Sequence, residues 1–418
     1  MHILIIPSWY PAYPEDINGS FFREQALALK NKKHKVGVIV PYLNSVRRGV
    51  KAIKEIGVDI TCDKGIETYR FNSINITPRI NSIILWHWVE LGKKLFRIYI
   101  REHGKPDVIH VHSMNKGIFL AYEIERIYKI PYVVTEHSSA FLVDNIDNEL
   151  INKLSDPLKK SKYRIAVSQS FATVMEKTFD NTRWIYIPNI VSQQFFDASP
   201  DIVRKPELPD SPKKDYHHTK DNTFHFLSVC FLTENKKIDN LLTAFSKISY
   251  ENPNVQLTIG GDGPCRKSLE HLADTLNITN KVNFTGMLDR KQVIQQMNKT
   301  NAFVLSSEYE TFGVVLVEAL ALGKPVVATR SGGPESIVTD QVGCLVEKNN
   351  IAALYTGMKQ VYQKEYNPQA IKKYCEQHFS EQVVTAQLEQ VYKTVLSECG
   401  KTLPDISTGK GIGREDLP

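Results

Sequence analysis

The sequence predicts an α/β protein built from two parallel-sheet domains that face each other across a cleft. Three observations carry this prediction. The chain has 418 residues, 42% of them apolar and 23% charged, which is enough for two domains of ordinary size at roughly 150 residues each. Short runs of apolar and β-branched residues alternate with segments of helical spacing, the pattern of a parallel sheet covered on both faces. That alternation occurs twice, with a polar stretch between the two series.

In the first series, HILIIPS (2–8) reads as a buried strand, followed by the Pro/Gly-rich loop WYPAYPEDINGS. FFREQALALK then places Phe22, Ala26 and Leu29 on one helical face. KVGVIVP, PDVIHVHS, PYVVTEHSS, YRIAVS and WIYIPN read as further strands. Residues 1–200 form the first domain. Residues 201–222, rich in Pro, Asp and Lys, read as an exposed linker. The second series starts at FHFLSV and continues through NVQLTIGGDG, KVNFTG, AFVLSS and GKPVVATR, giving a domain over 223–378. Residues 376–397 have the spacing of one last amphipathic helix, assigned to 379–399. The tail 400–418, with four Gly, two Pro and few apolar residues, is expected to be disordered.

Composition excludes several classes. The chain is not a disulfide scaffold, a collagen or a disordered protein. Its six cysteines are scattered without a CxxC pair, so a zinc ribbon or redox motif is not expected. No apolar stretch reaches the roughly 18 residues of a membrane span, and a reducing cytoplasm is the expected setting. The formal charge is +6, unevenly placed: residues 1–200 hold 27 Lys+Arg against 20 Asp+Glu, and 201–418 hold 25 against 26. The basic front half points to an anionic partner. Nucleic acid is not expected, because the excess is modest and no binding motif is present.

Two facing domains put ligands at the carboxyl ends of the strands. The segment SSEYETFGVVLVEA, residues 306–319, stands at such an end and opens a helix. Gly313 permits close backbone approach, and the N–H groups of Gly313, Val314 and Val315 lie at a helix start, suited to phosphate. Glu310 and Glu318 admit two readings. They are a cap and a solvated helix residue, or they bind a hydroxyl-rich ligand and the vicinal hydroxyls of a ribose. Glu318 interrupts the apolar run VVLVEALALG, where an unpartnered carboxylate is costly.

The stretch Glu310–Gly333, a Glu, seven residues, a second Glu and then EALALGKPVVAT, resembles the signature of the retaining glycosyltransferases of family 4. Those enzymes have the GT-B fold, two Rossmann-like domains facing each other across a cleft. The resemblance spans nearly all of 2–397. It implies that Glu318 holds the nucleotide ribose, that Glu310 contacts the donor sugar, that Thr311 is donor-binding, and that the amides of Phe312, Gly313, Val314 and Val315 take the diphosphate. It implies that the last helix crosses back to the first domain. Gly19, in SWYPAYPEDINGSFFREQALAL, would let the backbone approach the diphosphate, with Ser20 as the helix N-cap. His137, in VTEHSS, would hydrogen-bond the donor sugar. Lys236 stands for the diphosphate-binding lysine of a Gly-Arg-Leu…Lys-Gly-Ile-Asp segment. There the chain departs from the family: Phe231 replaces the arginine, Cys230 and Lys237 replace glycines. The GGDGP turn (260–264) would shape the cleft wall, FTGML with Met287 would lie near the nucleobase, and SGGPE (331–335) would border the donor sugar.

Residues 79–105 form a further helix, with Ile84, Trp88, Leu91, Leu95 and Ile98 on one face and Lys94, Arg97 and Arg101 on another. It is a core helix with a solvated basic face, or a contact for an anionic membrane through Trp86, Trp88, Phe96 and Tyr99. His110 and His112 share a strand face; they are a metal pair or have packing or loop roles, and the latter are expected because no third ligand is evident. The expected function is transfer of a sugar from a UDP- or GDP-sugar to a hydroxyl of a glycan or lipid-linked acceptor, with retention and without a metal or cofactor. A sugar-nucleotide 2-epimerase and a non-catalytic sugar-nucleotide-binding protein are the alternatives.

Overall fold

The structure is a computed structural model that describes residues 1–13, 16, 18–45, 54–75, 80–143, 147–180, 182–198 and 223–400. The predicted linker (201–222) and all but the first residue of the predicted tail lie outside the described residues.

The first domain is an eight-stranded sheet: β1 (His2–Pro7), β2 (Lys35–Ser45), β3 (Gly57–Asp63), β4 (Ile66–Asn75), β5 (Val108–His112), β6 (Tyr132–Glu136), β7 (Tyr163–Ala166) and β8 (Ile185–Tyr186). Their spatial order is β3-β4-β2-β1-β5-β6-β7-β8, parallel except for the β3–β4 pair. The second domain is a parallel sheet ordered β11-β10-β9-β12-β13-β14, from β9 (Phe224–Val229), β10 (Val255–Gly260), β11 (Val282–Gly286), β12 (Ala302–Leu305), β13 (Val326–Thr329) and β14 (Gly343–Val346). Central strands such as β5, β6 and β12 are buried at every position. That is why β12 reads as an unbroken apolar run, while β5 and β6 bury the polar residues His110, His112, Thr135 and Glu136 toward their carboxyl ends.

Several expectations are corrected. The hairpin β3–β4 and the strand β14 were not foreseen; β3 is an edge strand exposed at five of its seven positions, so its apolar pattern is weak. Residues 376–379 belong to a separate helix, Pro368–Phe379, and the last helix is Glu381–Glu398, inside the predicted 379–399; Ser380 divides them, and its side chain accepts from the Val383 amide. The second of these packs Val384, Leu388, Val391 and Val395 against the first-domain residues Ile3, Phe22, Ala26 and Leu29. Tyr392 of this helix reaches into β5, its hydroxyl 2.6 Å from His110 Nδ1. Ser20 is not an N-cap: the cap of helix Ser20–Asn31 is Gly19 in a left-handed conformation, with no side-chain cap bond.

The amphipathic helix spans Asn81–His103. Trp88, Phe96 and Tyr99 are core residues, so of the four aromatics proposed to meet a membrane only Trp86, 65% exposed, is free to do so. Lys94, Arg97 and Arg101 are exposed, as a solvated basic face requires. No helix among the described residues is long and apolar enough to cross a membrane.

Candidate active site

The carboxyl ends of both sheets converge on a cavity of about 890 Å³. All eleven residues singled out from the sequence line it: Gly19, His137, Lys236, Met287, Glu310, Thr311, Phe312, Gly313, Val314, Val315 and Glu318. The SGGPE segment is not among the lining residues. It braces the wall from behind: Glu310 N–H donates to the Ser331 carbonyl, and a Cβ on Gly333 would fall 2.3 Å from Phe312 Cα.

On the second-domain side, β12 leads through Ser306–Gly313 into the helix Val314–Ala321. Gly313 caps that helix at φ 98°, a left-handed conformation that favours glycine. The first amides of the helix have no partner within it, and they face the cavity with a partial positive charge. Lys236 Nζ donates to Glu310 Oε2 at 2.8 Å. Burial works against the Lys236 ammonium, but the Glu310 carboxylate outweighs it and the lysine's pKa is raised. Asn235 sets this pair: its Nδ2 donates to the Tyr309 carbonyl at 3.2 Å, and its Oδ1 accepts from Tyr309 N–H at 3.0 Å. The glycine-rich turn explains itself in the same region. A Cβ on Gly261 would lie 1.8 Å from the Cys230 carbonyl oxygen, so only glycine lets β10's turn close on the β9 loop. Lys237 adopts φ 47°, the conformation a glycine takes there at no steric cost, and holds Glu308 at 3.0 Å. Phe231 is 59% exposed into the cavity.

The first-domain wall is built on buried histidines and a buried glutamate, with His112 Nε2, Ser113 Oγ and His137 Nδ1 left without a hydrogen-bond partner. Glu136, fully buried at the end of β6, accepts from the amides of Met114 (2.6 Å), His137 (2.8 Å) and Ser138 (2.7 Å). Burial pushes its pKa up against the pull of those amides. His137 Nε2 lies 3.1 Å from His112 Nδ1, and its ring packs against Phe21 and Phe22 with centroids at 5.0 Å. Burial pushes its pKa down to about 3, so the imidazole is neutral. His110 and His112 pack ring on ring at 4.2 Å, and His110 Nε2 meets Thr135 Oγ1 at 2.7 Å. Gly19 at φ 79° lies in the left-handed region that favours glycine, and a Cβ there would press on the Phe22 and Trp9 side chains at 3.1 Å. The two walls touch where Thr311 Oγ1 donates to the His137 carbonyl at 3.0 Å.

Glu318 has the partner its burial demands. Arg290 Nη2 lies 3.2 Å from Glu318 Oε1, and Arg290 Nη1 lies 2.5 Å from Glu24 Oε1 of the first domain. Burial raises the Glu318 pKa to about 7; Arg290 opposes that rise and Glu24 adds to it. Sequence reading missed Arg290, Glu24, Asn235 and Glu136. Only Glu136 left a signal, as a charged residue closing the apolar strand YVVTE. Among the described residues no group of three His, Cys, Asp or Glu is placed to hold a metal ion.

Two facing parallel-sheet domains with these groups gathered at their strand ends define the GT-B architecture. Solved structures share it. Sucrose-phosphate synthase from Thermosynechococcus elongatus superposes with a TM-score of 0.72 at 18% identity, covering 95% of this chain and 100% of that one. HepE from Anabaena in complex with UDP-glucose gives 0.64 at 17%, covering 95% and 100%. The model of glycosyltransferase family 4 matches residues 19–195, and that of glycosyl transferases group 1 matches 210–378. N-acetyl-alpha-D-glucosaminyl L-malate synthase of Bacillus anthracis is 27% identical over 316 residues, 74% of this chain and 79% of that protein. Alpha-D-kanosaminyltransferase of Streptomyces kanamyceticus is 26% identical over 264 residues, 60% and 66%. The chain belongs to the group 1 glycosyltransferases of family 4.

Proposed function

We propose that the protein is a retaining glycosyltransferase that moves a sugar from a nucleotide diphosphate sugar to a hydroxyl of a glycan or lipid-linked acceptor. The observation that carries this reading is the convergence of a free helix start, the Lys236–Glu310 pair and the buried Glu318 carboxylate in one cavity. In this reading the amides of Phe312–Val315 and Lys236 stabilise the leaving diphosphate, as preorganised dipoles that need no rearrangement. Glu318 accepts from the ribose hydroxyls. Glu310, Thr311 and the neutral His137 orient the donor sugar. Gly19 brings backbone close to the diphosphate, and Met287 lies against the base. The acceptor oxygen attacks the anomeric carbon on the face the diphosphate leaves, and the departing phosphate oxygen takes its proton. No metal or cofactor is called for. Nucleotide sugars are the donors consistent with HepE, which was solved with UDP-glucose.

A second reading, nucleotide-sugar binding without transfer, is favoured by Phe231, which cannot neutralise phosphate where the family carries arginine. One experiment separates the two. UDP-, GDP- and ADP-sugars are screened by thermal shift, and the best donor is then incubated with and without acceptor extracts. Transfer that needs an acceptor supports the first reading. Stabilisation with no turnover supports the second, and donor hydrolysis with epimerisation supports a 2-epimerase.

The acceptor is proposed to be anionic or membrane-borne, and the protein a cytoplasmic one that docks at the inner leaflet. Ile80, Ile83 and Trp86 are exposed at the start of the helix Asn81–His103, which also carries exposed Lys94, Arg97 and Arg101. Apolar groups beside cations suit an anionic leaflet. Flotation with anionic liposomes at low salt tests it; no flotation ends the idea.

A further inference from the structure

Arg290 occupies an unusual position. It opens the helix Arg290–Asn298, whose first turn is fixed by a reciprocal capping box between Asp289 and Gln292. Its backbone is therefore anchored just past β11 in the second domain. Its guanidinium reaches across the cleft to Glu24, one turn into the helix Ser20–Asn31 of the first domain. It also contacts Glu318, and it lies over the Phe195 ring at 5.1 Å from the centroid.

The cluster is unbalanced. Two buried carboxylates share one guanidinium. Glu24 Oε2, Arg290 Nε and Arg290 Nη2 are buried without a hydrogen-bond partner. The 3.2 Å contact to Glu318 is thus an ion pair without hydrogen-bond alignment. Buried polar atoms with open valences are costly, so a ligand that fills them gains more here than in a satisfied network.

We propose that Arg290 is an interdomain clasp. It joins Glu24 of the first domain to Glu318 of the second, so that a nucleoside diphosphate seated on Glu318 and closure of the cleft are coupled through one guanidinium. The proposal rests on the reading that Glu318 takes the ribose. Ribose hydroxyls that donate to Glu318 stabilise its charge and relieve Arg290 of part of that task. The guanidinium, already 2.5 Å from Glu24, then holds that carboxylate more strongly and keeps the helix Ser20–Asn31, and Gly19 with it, against the occupied site. Linkage makes the effect reciprocal: closure tightens nucleotide binding. Glu24 is a positioning residue in this scheme, acting through Arg290 without touching the ligand.

The test uses the full chain with UDP, GDP and ADP, taking forward the one that binds most tightly. Its affinity is measured from pH 5.5 to 8.5, and small-angle X-ray scattering is recorded with and without it, for wild type, Glu24→Gln, Glu24→Asp, Arg290→Gln and Glu318→Ala. Wild type is expected to contract on binding. Glu24→Gln should not contract and should bind about fivefold or more weakly, while Glu24→Asp, which keeps the charge, should retain contraction. The pH profile adds a readout that a packing role would not move. The groups facing Glu318 are Arg290 and Glu24, and those facing Glu24 also include Lys64 and Glu381. Affinity should fall as acid protonates Glu318. Removing the Glu24 charge should shift that fall to lower pH, and removing the Arg290 charge should shift it to higher pH. If wild type does not contract, or if Glu24→Gln contracts with an unmoved pH profile, the clasp is overturned. Should Glu318→Ala still weaken binding tenfold or more in that case, the ribose reading survives alone. If Glu318→Ala binds as wild type does, both fall.

Discussion

The two walls of the cleft are built on opposite electrostatic plans. The first-domain wall is neutral and closed: three stacked or bonded histidines kept unprotonated by burial, and a glutamate saturated by three amides. The second-domain wall is charged and open: Lys236 with Glu310, Arg290 with Glu318, and a helix start whose first amides have no partner within the helix. A neutral wall has little charge to offer a ligand, although His112 Nε2, Ser113 Oγ and His137 Nδ1 are buried in it without a hydrogen-bond partner. A wall of exchangeable ion pairs can trade its internal partners for a substrate's phosphate and hydroxyls. In the proposed reading the charged groups that meet the donor lie mostly on the second domain, and the first domain adds Gly19 and the neutral His137.

The largest effect should come from the exchangeable pairs. Lys236→Ala is expected to lower transfer by about 10²–10³-fold, the range for removing one preorganised donor to a developing negative charge. A steady-state assay with the best donor measures it, and a kcat loss that exceeds any KM change marks transition-state stabilisation. Asn235→Ala leaves both charges in place but frees the β9 loop from Tyr309. It should cost roughly tenfold, in keeping with small displacements of a positioned group.

The buried carboxylate gives a prediction with a sign. Folding raises the Glu318 pKa from an ordinary carboxylate value to about 7. The folded state then binds a proton that the unfolded state has released, so this group's contribution to stability falls as pH rises from about 4.5 to 7 and is fully unfavourable above it. Glu318→Gln should therefore raise the melting temperature of the nucleotide-free protein at pH 8 more than at pH 5, by an amount equivalent to about 1–3 kcal/mol. The same variant should weaken nucleotide binding. A neutral-wall counterpart, Tyr392→Phe, loses one hydrogen bond to His110 and should cost only about 1 kcal/mol by chemical denaturation.

The smallest effect concerns Lys237. Its left-handed backbone costs roughly 1–2 kcal/mol relative to glycine, and its pairing with Glu308 returns little because the pair is partly exposed. Lys237→Gly should be neutral to slightly stabilising. Clear destabilisation would show that the ion pair outweighs the backbone strain.

The contrast between the walls also explains what could be read from the chain. Glu310, Gly313 and Glu318 were singled out because one contiguous segment carries a strand end, a turn and a helix start, and because that segment resembles the family signature. His137 was singled out from its place at a strand end and the resemblance of VTEHSS to a family segment; all four line the cavity. Arg290, Glu24 and Asn235 were not, because each acts on a partner from another element and nothing local marks it. Glu24 reads as a surface residue of an amphipathic helix until the second domain is set against it. The β3–β4 hairpin was missed because an exposed edge strand has no buried face to impose a pattern. The break at Ser380 was missed because two successive helices keep nearly the same apolar spacing across one capping residue.

The central claim is that this cleft carries sugar transfer with Glu310 at the donor sugar. The most direct measurement is product formation from the best-binding nucleotide sugar and its acceptor, with wild type and Glu310→Ala compared at equal thermal stability. The account predicts acceptor-dependent turnover by wild type and its loss in Glu310→Ala, with nucleoside diphosphate binding kept within a few fold. Full transfer by Glu310→Ala would contradict it.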